Sequence, residues 1–236
     1  MMEREYFKPG QKQYTRKERI SNWFYYHKLL VLVVLVVVWV VGSMLWNVLG
    51  IGQVKPDYRF VYVGSRRLPD SCVQALEAGL ASLAQDCNGD GTVTVALTQC
   101  VSAGDEALEN QIYGYGAEVL LHADILEGES HFFLMDDPQG VQLSYQILAH
   151  LDGSAPADDD YSAMDKVLSW SDCPRLAGLE LGSYEDAYLD IKETGQCQDL
   201  LAGLYLGRRW YYDQSMEKYP EANEKLWQIL TEGATS

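Results

Sequence analysis

From Leu29 to Val54 the chain has no charged residue, and beyond that run it is poor in cations: eleven Lys and Arg stand against 31 Asp and Glu. The first lack excludes a chain that is water-soluble throughout. The second excludes nucleic acid as a partner and disfavours close contact with anionic lipid heads. Signatures of catalysis are lacking as well, since no G-x-S-x-G, H-E-x-x-H, Walker loop, C-x-x-C or G-x-G-x-x-G occurs. His122, His131 and His150 lie far apart in sequence, and no two share a metal-ligand spacing. No internal repeat or low-complexity tract is present. The cysteines, Cys72, Cys87, Cys100, Cys173 and Cys197, are odd in number, and the domain that carries them is large enough to bury a core without staples. Buried thiols are the expectation, with one or two bridges left open. No cofactor is required by any of these features, and an enzyme is not expected.

What is present begins with the apolar run itself. As a helix at 1.5 Å per residue, Leu29–Val54 would reach about 39 Å, against a hydrocarbon core of about 30 Å, so it can span a bilayer with some tilt. Residues 1–28 carry seven Lys and Arg against three Glu, which places the N-terminus in the cytoplasm. The same charges, with Trp23, Phe24, Tyr25 and Tyr26, would also suit an arm that binds anionic lipid or a partner. A cleavable signal peptide is the competing interpretation. The long basic region, the weak small-residue site in VGSMLWNVLGIGQV (41–54) and the lack of a cysteine for lipidation favour an uncleaved anchor. The expected organisation is a basic cytoplasmic tail (1–28), a transmembrane helix (29–51), a linker (52–57) and an extracytoplasmic domain (58–236).

After Pro56 the pattern changes to that of an α/β protein. YRFVYV (58–63) is apolar and β-rich enough for a buried strand, ending at Gly64-Ser65-Arg66-Arg67-Leu68-Pro69. A helix should follow, capped by Ser71 with Gln74 three residues on, and with Val73, Leu76, Leu80 and Leu83 along one face. TVTVAL (92–97) alternates as a second strand. Gly114 and Gly116 interrupt the next segment, but Ala117–Leu126 reads as helix. HFFLM (131–135) is the third strand, Asp136-Asp137-Pro138 turns the chain, and Val141–Leu151 reads as another helix. DGSAPADDDY (152–161) is a solvated loop by composition. Further strands are expected at Leu176–Leu181 and Leu200–Leu206, and a last helix near Pro220–Leu230. The alternation predicts an α/β fold: a mostly parallel sheet flanked by helices, joined by right-handed crossovers and preceded by one transmembrane helix.

The stretch DCNGDGTVTVAL (86–97) contains half of an EF-hand-like loop. Asp86, Asn88 and Asp90 take its first, third and fifth places, Gly91 the sixth, and Thr92 offers a carbonyl from the seventh. The twelfth place, where a carboxylate should grip the ion with both oxygens, is Leu97. Asp105, Glu106 or Glu109 would have to fold back to replace it. The stretch is therefore either a weak structural calcium site or a turn made by Asn-Gly-Asp-Gly. Since it precedes the second strand, it falls on the amino edge of the sheet.

AEVLLHADILEGESHFFLMDDP (117–138), taken with YRFVYVGS (58–65), resembles a stretch of extracytoplasmic solute-binding proteins of ABC transporters. In those proteins a helix ending in Gly leads to a buried apolar strand that closes on Asp. The resemblance runs over residues 57–150 and implies one lobe of such a protein. Solute-binding proteins close two lobes around a ligand and hang from a lipidated cysteine. Residues 58–236 would instead make a single lobe on a transmembrane helix, so transport does not carry over.

Open parallel sheets bind ligands at the carboxyl ends of their strands, where strand order reverses. The expected ligand residues are Ser65, Arg66 and Arg67 after the first strand, Gln99 with Thr98 and Cys100 after the second, and Asp136 and Asp137 after the third. The arginines suit an anionic group, or else form an exposed basic loop. Tyr113, Tyr115, Trp170, Trp210, Tyr211 and Tyr212 fall near expected loops, where rings stack on sugars or anchor a protein when they do not simply fill the core. The chain thus reads as a bacterial-type, single-pass membrane protein whose extracytoplasmic domain binds a small solute or a membrane-protein partner without catalysis. The rivals are an interaction module of a membrane complex with no small ligand, and a hydrolase with an unrecognised site.

Overall fold

A computed structural model describes residues 15–48, 55–101, 108–188 and 191–235. Residues 1–14 of the expected tail, residues 49–54 at the end of the apolar run, and the acids Asp105 and Glu106 lie outside the described residues. The chain divides into two units, Met1–Val54 and Lys55–Ser236.

Among its described residues the first unit contains one helix, α1 (Arg16–Val48). Its start is fixed by a reciprocal pair that the sequence reading passed over: Glu18 Oε2 accepts a bond from Thr15 N at 2.8 Å, while Glu18 N donates to Thr15 Oγ1 at 3.4 Å, the pattern of a capping box. Large apolar side chains are exposed along and around α1, a distribution that suits lipid and not water. By length and composition α1 can cross a membrane, and Leu29–Val48 rises about 30 Å, the thickness of the hydrocarbon core.

The second unit runs β1 (Tyr58–Gly64), α2 (Asp70–Leu83), β2 (Val95–Val101), α3 (Leu108–Glu127), β3 (Phe132–Met135), α4 (Pro138–Tyr145), β4 (Val167–Ser169), α5 (Pro174–Ala177), β5 (Ser183–Tyr188), β6 (Ile191–Gln196), α6 (Cys197–Leu201), β7 (Tyr205–Arg208) and α7 (Pro220–Leu230). Five strands form a sheet in the order β2-β1-β3-β7-β4, and β5 pairs with β6 in a separate hairpin. β1 runs parallel to β2 and β3, while β7 is antiparallel to β3 and β4. All strands of the main sheet except β7 therefore point one way, as a mostly parallel α/β sheet.

Central strands covered on both faces need apolar residues without alternation, which is why β1 and β3 read as continuous runs. Phe60 and Phe132 stack with centroids 4.7 Å apart and are fully buried; truncating either to Ala should cost about 3–5 kcal/mol. One face of the sheet packs Phe60, Leu134 and Leu206 against Leu76 and Leu80 of α2 and Leu226 and Leu230 of α7. The other packs Val61, Phe133 and Met135 against Leu121 of α3 and Val141 of α4. A disulfide joins Cys72 of α2 to Cys197 of α6 across 125 residues. Cys100 and Cys173 are buried free thiols and Cys87 is half-buried; burial pushes the Cys100 and Cys173 thiols up to about 11, which keeps them inert.

Several element boundaries differ from the sequence reading for local reasons. β2 starts at Val95 and not at Thr92, because Thr94 N is taken by the Asp57 carboxylate at 2.8 Å. Thr98, Gln99 and Cys100 accordingly lie within β2 and not after it. Pro69 stands at the N-cap of α2 without a side-chain bond, so Ser71 is a helical residue and not the cap. α3 begins at Leu108 and continues through Gly114 and Gly116. α4 stops at Tyr145, where Gln146 adopts φ 50° and its N–H closes on Gln142 O. The strand expected at Leu176–Leu181 is replaced by the single turn α5, led by Pro174, and that at Leu200–Leu206 by the end of α6 followed by β7.

Candidate functional site

Strand order reverses between β1 and β3, so the switch point lies where Gly64 and Met135 end their strands. Ser65 and Asp136 meet there: Ser65 N and Oγ each donate to Asp136 Oδ2 at 2.7 Å. The chain then folds back over β1, with the Tyr62 hydroxyl donating to Arg66 O at 2.6 Å. Gly64 permits this path, because a Cβ in its place would stand 2.2 Å from the Tyr62 hydroxyl. Burial, with the Asp136 charge, pushes the Tyr62 phenol up to about 12, so it stays a neutral donor.

The remaining expected ligand residues also meet partners within the chain, the two arginines through exposed ion pairs. Arg66 pairs with Glu193 of the β5–β6 hairpin, and Arg67 with Asp70 at 3.0 Å. Gln99 is drawn into a mutual bond with the backbone of Leu68, accepting from its N–H at 2.8 Å and donating to its carbonyl at 3.3 Å. Asp137 caps α4 through Gly140 N at 2.9 Å. The structure thus joins Ser65 to Asp136, places Arg66, Arg67 and Asp136 along one cleft, and sends Gln99 and Asp137 to separate local duties. A cleft of about 180 Å³ remains, lined by Tyr62, Arg66, Leu68, Asp136, Leu200 and Leu204 among others. Small-molecule sites usually enclose about 300–1,000 Å³.

At the opposite edge, Asp86 accepts from Gly89 N and Gly91 N, Asn88 Oδ1 from Asp90 N, and Asp90 Oδ1 from both Thr92 N and Thr92 Oγ1 at 2.6–2.9 Å. Gly89 and Gly91 take φ values of 75° and 86°, which supply the left-handed steps that such a turn requires. Asp57, placed in the linker by the sequence reading, organises the loop from beneath: it is buried and receives Cys87 N, Asn88 N and Thr94 N. Leu97 is buried within β2 and offers no carboxylate.

Two polar clusters escaped the sequence reading. Lys166 is fully buried, its ammonium 2.7 Å from Asp160 Oδ2 and Ser162 O and 3.2 Å from Asp165 Oδ1. His150 Nδ1 lies 3.2 Å from Asp165 Oδ2. His150, Asp160 and Asp165 offer three ligand-type atoms within 4.8 Å of one another, and the two carboxylates already hold the Lys166 ammonium, whose hydrogen bond keeps Asp160 below the usual carboxylate range. The DDDY loop is thus exposed at Asp158 and Asp159 and anchored at Asp160. The second cluster fastens α3. Arg209 is buried and donates to Asp124 O, Ile125 O and Ser130 O, closing carbonyls at the helix end. Beside it His131 is pushed down to about 3 by burial and by Arg208 and Arg209, so it is neutral.

Of the loop aromatics, Trp170 and Tyr211 are buried and Tyr212 is 98% exposed; the side chains of Tyr113 and Tyr115 lie outside the described residues. Comparison of the chain with protein-family models, with curated proteins and with solved structures finds no match in any of the three.

Proposed function

We propose that the chain is a single-pass membrane protein whose α/β domain is an extracytoplasmic, non-catalytic interaction module. The observation that carries this reading is the carboxyl edge, where each of the six expected ligand residues makes at least one hydrogen bond or ion pair within the chain and the cleft left between them is about 180 Å³. A solute-binding lobe would instead present unsatisfied groups converging on a larger hollow. The disulfide between Cys72 and Cys197 supports an oxidising compartment for this domain, and the basic residues before the apolar run support a cytoplasmic N-terminus. α1, uncleaved, is the anchor in this reading.

Thermal melts of the full chain in lipid nanodiscs with sugars, amino acids and short peptides test it. A ligand at 100 times its dissociation constant adds about 2.7 kcal/mol. No shift is expected with any solute; a shift with one would return the domain to the solute-binding class. A membrane-impermeant maleimide that fails to label Tyr212→Cys in intact cells would overturn the orientation.

A further inference from the structure

We propose that the outward face of α3 docks an amphipathic helix of a partner protein, apolar along its seam and basic on its flanks. The proposal deepens the interaction reading and rests on it. α3 turns Leu121, with Ala117 and Ile125, toward the sheet. On the opposite side Gly116, Val119, Ala123 and Leu126 recur at alternating steps of three and four, the spacing by which one helix seats another. Val119 is 66% exposed, Leu126 76% and Leu120, beside the seam, 54%. A Cβ at Gly116 would meet nothing within 4 Å, so a second backbone can come close there. A helix apolar on both sides is normally covered on both.

Charge selects the occupant. Glu118 and Glu127 stand exposed on the same helix, in a region with eleven Lys and Arg against 31 acids. Arg59, Arg66, Arg67, Arg175 and Lys218 already meet carboxylates of their own chain. A second copy would bring the same net negative charge to the face, and an anionic lipid surface would be repelled likewise. A helix with Lys or Arg at its flanking positions complements both the apolar seam and the acidic surface around it, of which Glu127 lies beside the seam.

The probe is a labelled 21-residue helical peptide with Leu along its seam and Lys on its flanks. It is titrated by fluorescence anisotropy against the full chain in zwitterionic nanodiscs, with empty discs as blank. Binding to the native chain, weakened roughly 30-fold by Val119→Glu with Leu126→Glu, is expected. That pair adds negative charge while spoiling the seam, so attraction by charge alone would instead strengthen binding, and that result overturns the proposal. Ala123→Arg should cause a similar loss by repelling the peptide flanks, and melts of each variant confirm the fold. Absence of binding by the native chain also overturns it. So does self-association that the Val119→Glu, Leu126→Glu pair abolishes, which would assign the face to a second copy. A solute-induced shift in the melts would sink the interaction reading itself; failure of the peptide alone removes only α3 as its docking face.

Discussion

α2 and α3 do the same structural work on opposite faces of the sheet, yet their outer sides differ. α2 buries Cys72, Leu76 and Leu80 and exposes Ser71, Gln74, Ala78 and Ser82, an ordinary division between core and water. α3 buries Leu121 and exposes Val119, Leu120 and Leu126. Leaving a side chain of that size in water forgoes about 1.5–3 kcal/mol that burial would supply. The fold does not need these residues, since α2 shows that a polar outer side serves. The proposed docking face would account for their presence.

The comparison can be tested from its strongest element downward. The α2 side is stapled, so replacing Cys72 and Cys197 together by Ala should lower stability by about 3–5 kcal/mol in urea unfolding, given the 125-residue separation. The end of α3 is held by the cluster around Arg209 and His131, and that side should respond to acid. His131 has its folded pKa lowered from 6.5 to about 3, so its contribution is complete above pH 6.5 and declines as pH falls toward 3. From pH 7 to pH 4 the loss is about 3 kcal/mol. Asp124, raised by burial, acts in the opposite direction, so the test compares His131→Gln with the native chain: the variant should show a flatter acid limb. Amide protection, taken relative to intrinsic rates at each pH, should fall in α3 before α2 as pH drops.

Leu121→Ala should cost about 2–3 kcal/mol, because the core behind α3 loses a buried side chain. Gly64→Val should cost about 1–3 kcal/mol by forcing Tyr62 off Arg66 and loosening the closed carboxyl edge. The smallest effect belongs to Val119→Glu, which should stay within about 0.5 kcal/mol in the purified protein because nothing inside the fold depends on it. A large loss there would mean that α3 packs on both sides within one chain.

The sheet was legible in the sequence where the physics is local. YRFVYV and HFFLM form β1 and β3 because strands covered on both faces need unbroken apolar runs, and Pro220–Leu230 forms α7 from its helical spacing. β4 has three residues and no period to read, while the polar segments of β5 and β6 carry no hydrophobic alternation. The placement of Ser65 and Asp136 at the switch point followed from topology. Their mutual bond did not, since it links residues 71 apart, and the Arg66–Glu193 pair spans 127. Asp57 and Lys166 were missed because their roles depend on burial brought about by distant parts of the chain. Thr15-x-x-Glu18 was readable as a capping box and was overlooked beside the apolar run.

The most direct test introduces Val119→Cys into the full chain and compares its labelling by maleimide in native membranes and after purification, with Tyr212→Cys as the accessible reference. An interaction module with α3 as its docking face predicts that position 119 is protected in native membranes and labelled once purified, while position 212 is labelled in both. Equal labelling of position 119 in both settings would mean that nothing covers this face, and would contradict the account.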